Sequence, residues 1–150
     1  MEKLRIGHRT WVLVADGTKA LFLRNDGDEL HPNLKVIDVE EQPSLSTREQ
    51  GTDRPGRNNR GRPSYNRSAM EPTDLHQLAE DQFAKNLADT MNGAALANRF
   101  EKLVVIAPPR VLAELRARFH KETQGRIVAE LDKTLTGLPV WDIEKLLSGG

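Results

Sequence analysis

The sequence predicts a single α/β domain built on a mixed five-stranded sheet. Three observations predict it. Three β-rich runs open the chain and are joined by short turn signals, which is the pattern of an antiparallel meander. A nearly all-apolar run, Lys102–Ala107, then lies between two helical patterns and precedes a further short β-rich run, which implies parallel crossovers. The chain has 150 residues and no cysteine, enough for one domain with a real core and no disulfide staples.

The elements follow in order. Trp11–Ala15 is a β-rich run ended by Asp16-Gly17, and Lys19–Arg24 follows at once. Two such runs around Asp-Gly read as a hairpin. Asn25-Asp-Gly-Asp28 is a second turn signal. Leu34–Val39 alternates as a third strand, with Leu34, Val36 and Asp38 expected on one face. Beyond a long polar interval, Pro72-Thr73-Asp74 opens a helix that Thr73 or Asp74 is placed to cap. Leu75, Ala79, Phe83, Leu87 and Met91 recur every four residues, with Leu78 and Ala94 beside them, predicting an amphipathic helix of about five to six turns. Gly93 weakens its far end. Val111 to about Lys121 forms the next helix, with Leu112, Leu115 and Phe119 as its apolar stripe and Gly125 as a left-handed cap. Arg126–Leu131 is a short fifth strand. A last helix runs to Leu147 with Pro139 near its first turn and Val140, Ile143, Leu146 and Leu147 facing inward. The expected order is βββαβαβα, the element order of the ribonuclease H-like architecture.

Charge is balanced overall and uneven locally. Lys+Arg and Asp+Glu both number 22, so no whole-chain attraction to nucleic acid is expected. Ser44–Met70 holds six arginines against Glu49 and Asp53, and no lysine. Glu71–Asn98 holds five acids against Lys85. No apolar run approaches the ~18 residues of a membrane span, and Trp11–Ala15 is too short for the apolar core of a secretory signal. A soluble cytoplasmic protein is expected.

The arginine-rich interval is the leading functional candidate. Arg48, Arg54, Arg57, Arg60, Arg62 and Arg67 suit phosphate recognition, because the guanidinium is a planar fork of donors. Asn58, Asn59, Ser64 and Asn66 add hydrogen bonds, and Tyr65 offers a ring on which a base stacks. The interleaved glycines permit close backbone approach. The opposing reading is a passive or partner-binding loop at about Glu41–Glu71. Closing about 31 residues rather than about 5 costs only ~1.6 kcal/mol more, so an insertion with no role is tolerated.

Other chemistry is thinly supported. Asp16 ends the first strand and is the one weak catalytic candidate, with Asp38 or Glu80 as partners in a two-metal nuclease; Asp-Gly is equally an ordinary hairpin turn. His8, His31, His76 and His120 lack metal-ligand spacing. A Gly-x-Ser-x-Gly elbow, a phosphate-binding P-loop and a dinucleotide fingerprint are absent from the sequence, and no cofactor or metal is expected. Asp132, Lys133 and Thr136 read as organisers of the turn into the last helix, and Trp11 and Trp141 as packing residues.

Several runs, taken in order, resemble the bacterial host attachment protein family. They are Val12-Leu-Val-Ala-Asp-Gly17 followed by Ala20; Phe83-Ala84 and Leu87-Ala88; Arg99-Phe100 followed by Leu103-Val-Val-Ile-Ala-Pro-Pro109, Leu112 and Leu115-Arg116; and Glu130-Leu-Asp-Lys133 with Leu135-Thr136 and Leu138-Pro139. The resemblance spans roughly Trp11 to Leu147. It implies kinship with the middle domain of archaeal and eukaryotic class 1 peptide-chain release factors, where a Gly-Gly-Gln loop between the third strand and the long helix enters the peptidyl-transferase centre. Here that interval holds Gly56-Arg-Asn-Asn-Arg-Gly-Arg62, and the sequence contains no Gly-Gly-Gln. The resemblance implies a role in host-cell attachment, and the position of this interval suggests a reach towards structured RNA or the ribosome; without Gly-Gly-Gln a non-enzymatic protein is expected. The alternatives are a protein–protein adaptor linked indirectly to host-cell attachment and a metal-dependent nuclease.

Overall fold

The fold is given by a computed structural model that describes residues 5–42 and 72–148, without the side chains of 72–74. The strands are β1 (Trp11–Ala15), β2 (Lys19–Asn25), β3 (Leu34–Glu41), β4 (Leu103–Ile106) and β5 (Ile127–Leu131). The helices are α1 (Pro72–Leu96), α2 (Pro109–Arg118), α3 (Lys121–Gln124) and α4 (Val140–Leu147). The five strands form one sheet in the order β3-β2-β1-β4-β5. The β1–β2 and β2–β3 pairs are antiparallel, whereas β1–β4 and β4–β5 are parallel. The sheet is mixed, as the two halves of the sequence imply.

Alternation along the strands sorts the core into two layers. Leu13, Ala15, Ala20, Phe22, Leu103 and Val105 face α1 and α2, where they meet Phe83, Leu87, Ala88, Met91, Leu112 and Leu115. Val12, Val14, Leu21, Leu23, Val104 and Ile106 face the other way and meet Ile143 and Leu147 of α4. Strands β1 and β4 are buried on both faces, which is why their sequences are apolar without alternation. On α4, Val140 and Leu146 pack half-buried beside Ile143 and Leu147.

Several local expectations are corrected. Strand β3 does not carry Leu34, Val36 and Asp38 on one buried face. Its pairing with β2 slips between Phe22 and Leu23, so that Phe22 faces Asp38 while Leu23 faces Val36. The slip leaves Ile37 as the bulged residue, packed on the α1 side, and Val36 44% exposed. A bulge is at home on an edge strand. Helix α1 is longer than expected, 25 residues or about seven turns. Leu78 is not part of its buried stripe, being 54% exposed. It precedes Leu87 by nine residues, about half a turn out of phase at 3.6 residues per turn.

The segment after α2 also differs. The helix stops at Arg118, Phe119 and His120 are extended, and a separate short helix, α3, follows. Gly125 has φ −67°, so it is not a left-handed cap. The break is held by Asn92 on α1, which is 5% exposed. Its Nδ2 donates to Arg118 O (3.2 Å), while its Oδ1 accepts from His120 N (2.9 Å) and Thr123 Oγ1 (2.6 Å). A single buried amide thus satisfies backbone groups that a helix break would orphan. Finally, Trp11 packs against Phe100 with ring centroids 4.9 Å apart, but Trp141 is 62% exposed, with the Lys145 ammonium 5.1 Å from its ring centre. The caps expected at Thr73 or Asp74 lie outside the described side chains.

Leu87 is fully buried between α1 and the sheet. Leu87→Ala is expected to cost about 2–5 kcal/mol, read as a lowered urea midpoint with an unchanged m-value.

Candidate functional site

The carboxyl end of β1 is where separate parts of the chain converge. Asp16 closes β1, and its N–H donates to Lys19 O (2.8 Å). Its Oδ1 accepts the N–H groups of Thr18 and Lys19, both at 2.8 Å, and the Thr18 hydroxyl at 3.3 Å. This is a side chain standing in for backbone in a tight turn. The expected Asp-Gly hairpin exists, shifted by one residue, with Gly17-Thr18 at its tip. Oδ2 takes a different partner, the hydroxyl of Thr136 at 2.5 Å, 120 residues away in sequence. Thr136 is only 7% exposed. It reaches back to β1 rather than simply shaping the turn into α4.

Two further segments meet this turn. Glu80 of α1 lies over Gly17, where an added Cβ would come within 2.6 Å of the Glu80 Cδ. A side chain at this position would make the flexible Glu80 carboxylate swing aside. Gln42, just beyond β3, donates from its N–H to Thr18 O (2.8 Å) and from its side-chain amide to Ala79 O (2.9 Å). Gln42, the last described residue before α1, therefore sits beside the Asp16 turn.

The electrostatics of Asp16 follow from these contacts. Burial by itself raises its pKa. The hydrogen bonds from Thr136, from the Thr18 and Lys19 amides and from the Thr18 hydroxyl together outweigh that effect and hold the carboxyl below the ordinary carboxylate range. All four favour the ionised form.

The expected site residues divide sharply. Arg48, Arg54, Arg57, Asn58, Asn59, Arg60, Arg62, Tyr65 and Arg67 all lie outside the described residues. Asp38 does not approach Asp16. It pairs with Phe22, which pairs with Leu13, so it stands two strands across and away from the carboxyl end of β1. Its Oδ1 accepts the neighbouring Val39 N–H at 2.8 Å. Glu80 is near the turn, but among the described residues no three His, Asp or Glu side chains are grouped so as to hold a metal ion. His8 Nδ1 donates to Gly27 O at 2.8 Å, and the main-chain N–H of His31 binds Asp28 Oδ1 at 2.7 Å. Sequence reasoning missed Gln42 and Asn92, and it placed Thr136 in the turn into α4 without its partner Asp16. Each makes side-chain contacts far along the chain, and a single sequence carries no signal of that.

The model of bacterial archaeo-eukaryotic release factor family 12 matches residues 9–147. The chain belongs to this family. The match takes in every strand and helix described above, and with it the release-factor resemblance read from the sequence. A search of curated proteins returned no match to the chain. None of the described helices is long and apolar enough to cross a membrane.

Thr136→Val keeps the shape and removes the hydroxyl donor. The expected loss is about 1.5 kcal/mol at neutral pH, the lower end for a hydrogen bond to a charged group because Asp16 is only half-buried. Asp16 has a depressed pKa in the fold, so its contribution is complete above the ordinary carboxylate range and is lost as pH falls through the folded value. Urea unfolding across pH should show the wild-type advantage over Thr136→Val shrinking in acid.

Proposed function

We propose that this release-factor-family protein is a non-enzymatic cytoplasmic RNA-binding protein. It docks on structured RNA, in the first instance the ribosome, through the arginines at 48, 54, 57, 60, 62 and 67. The observation that carries the reading is where the arginine-rich segment is rooted. Gln42, the last described residue before that segment, is bonded to Thr18 and to α1, at the same end of the sheet as the Asp16 turn. The strand order β3-β2-β1-β4-β5, with hairpins on one side and parallel pairs on the other, supports a ribonuclease H-like reading of the scaffold.

The chemistry is electrostatic docking with some base contact. Arginine forks neutralise backbone phosphates, Asn58 and Asn59 add hydrogen bonds, and Tyr65 stacks on an unpaired base. Family membership favours a translation-related partner. The missing Gly-Gly-Gln argues against peptidyl-tRNA hydrolysis by the release-factor route. Asp16 is engaged by four donors within its own fold, which suits a turn organiser better than a metal ligand. Any part in host-cell attachment would be downstream of this binding.

Ribosome co-sedimentation across a salt series tests the proposal. Affinity should fall steeply with salt, each neutralised phosphate adding roughly 0.7–0.9 to the log–log slope. The triple variant Arg57→Ala, Arg60→Ala, Arg62→Ala should bind more weakly and flatten that slope by about 2–3. Unchanged co-sedimentation of the triple variant would overturn the reading.

A further inference from the structure

The opposite end of the sheet carries a second feature. A cleft of about 460 Å³ opens beside the amino ends of β1 and β4, lined by Gly7–Thr10 and Glu29 on one side and by Asn98–Lys102 on the other. That volume lies in the range of small-molecule sites. Both walls are held by buried or pinned polar groups. Asn25 is fully buried. Its Nδ2 donates to Ile6 O (2.7 Å) and Gly7 O (3.1 Å), and its Oδ1 accepts from Gly27 N (2.9 Å) and Asn33 N (2.8 Å). Arg126 pins the other wall through Phe100 O (2.5 Å) and Asn98 Oδ1 (3.0 Å).

Three observations at this cleft point to a ligand. First, the non-glycine residues with positive φ among those described are Arg9 (67°) and Asn98 (58°), and both line it. Asparagine tolerates this conformation, whereas arginine holds it at a cost, and such strain gathers at ligand sites. Second, Arg9, Arg99 and Lys102 line the cleft and take no part in the ion pairs among the described residues, which are Arg24–Asp26, Arg116–Glu130, Arg118–Glu114 and Arg126–Glu122. Third, Thr10 lines the cleft at 2% exposure, and its hydroxyl makes no hydrogen bond with the described residues. A buried hydroxyl left without a partner is costly.

We propose that this cleft binds the phosphate group of a small phosphate monoester. Arg9, Arg99 and Lys102 supply charge-assisted donors to the phosphate oxygens, and the Thr10 hydroxyl supplies a neutral one. Glu29 and Glu101, also in the lining, repel a bare polyanion and accept from hydroxyl groups on the rest of the ligand. The site shares no residue with the arginine-rich segment or the Asp16 turn.

The test is amide chemical-shift titration of the full chain with inorganic phosphate and with ribose 5-phosphate at constant ionic strength, with chloride and ribose as controls. Both phosphates should give saturable shifts at Thr10, Arg99, Phe100 and Lys102, and the controls should not. Arg99→Ala with Lys102→Ala, two exposed side chains, should weaken binding roughly tenfold or more, while Arg57→Ala, Arg60→Ala, Arg62→Ala leaves it unchanged. Thr10→Val gives a second, uncharged variant that should also weaken it. Absence of saturable shifts, equal shifts with chloride, or loss only in the Arg57, Arg60, Arg62 variant overturns the proposal. None of these outcomes bears on ribosome co-sedimentation, so the two readings fail separately.

Discussion

The Asp16 carboxylate joins the two halves of the chain at the end of the strand on which both depend. Strand β1 pairs antiparallel with β2 on one side and parallel with β4 on the other. At its carboxyl end one oxygen of Asp16 shapes the turn into β2, and the other receives the hydroxyl of Thr136 from the connection that follows β5. That connection has to pass from β5 at one sheet edge to α4 on the face away from α1. Its bond to Asp16 fixes where it crosses. The turn in turn holds Gln42, the last described residue before α1, through Thr18 O.

The two ends of the sheet are built by the same device. At the carboxyl end a carboxylate gathers donors from its own turn and from the connection after β5. At the amino end the Asn25 amide does so for the segment before β1 and the β2–β3 loop, and Gly27 has room only for hydrogen, since a Cβ would come within 2.1 Å of His31 O. In both places short polar side chains replace backbone pairing where strands end, because buried N–H and C=O groups must find partners. What distinguishes the two places is charge. Arg9, Arg99 and Lys102 border the amino-end cleft, whereas the β1–β2 turn at the carboxyl end carries Asp16 with Glu80 over it.

The sheet was legible in the sequence because its signals are local. Apolar strands buried on both faces, an Asp-Gly turn and a four-residue apolar repeat each declare themselves within a short window. Where the reading slipped, a distant partner had decided the outcome. The bulge at Ile37 depends on the register with β2. The break after Arg118 depends on Asn92, 26 residues earlier. Leu78 fell off the buried stripe because a repeat of four drifts against a helix of 3.6 residues per turn. The candidate site was legible only in composition. Six arginines mark the segment, and Asp16 was singled out for its strand end, but its pairing with Thr136 is a contact across nearly the whole chain. The arginines themselves, with Asn58, Asn59 and Tyr65, lie outside the described residues.

The central claim is that the segment rooted at the Asp16 turn is the part of the molecule that meets RNA. Hydrogen–deuterium exchange of the full chain, alone and bound to ribosomes, addresses it directly. The account predicts slowed exchange concentrated in peptides covering 43–71, extending to Thr18 and Gln42 at the root, with β4, α2 and α4 unchanged. Protection confined to the α4 face or to the β5 edge, with 43–71 exchanging as in the free protein, would contradict it.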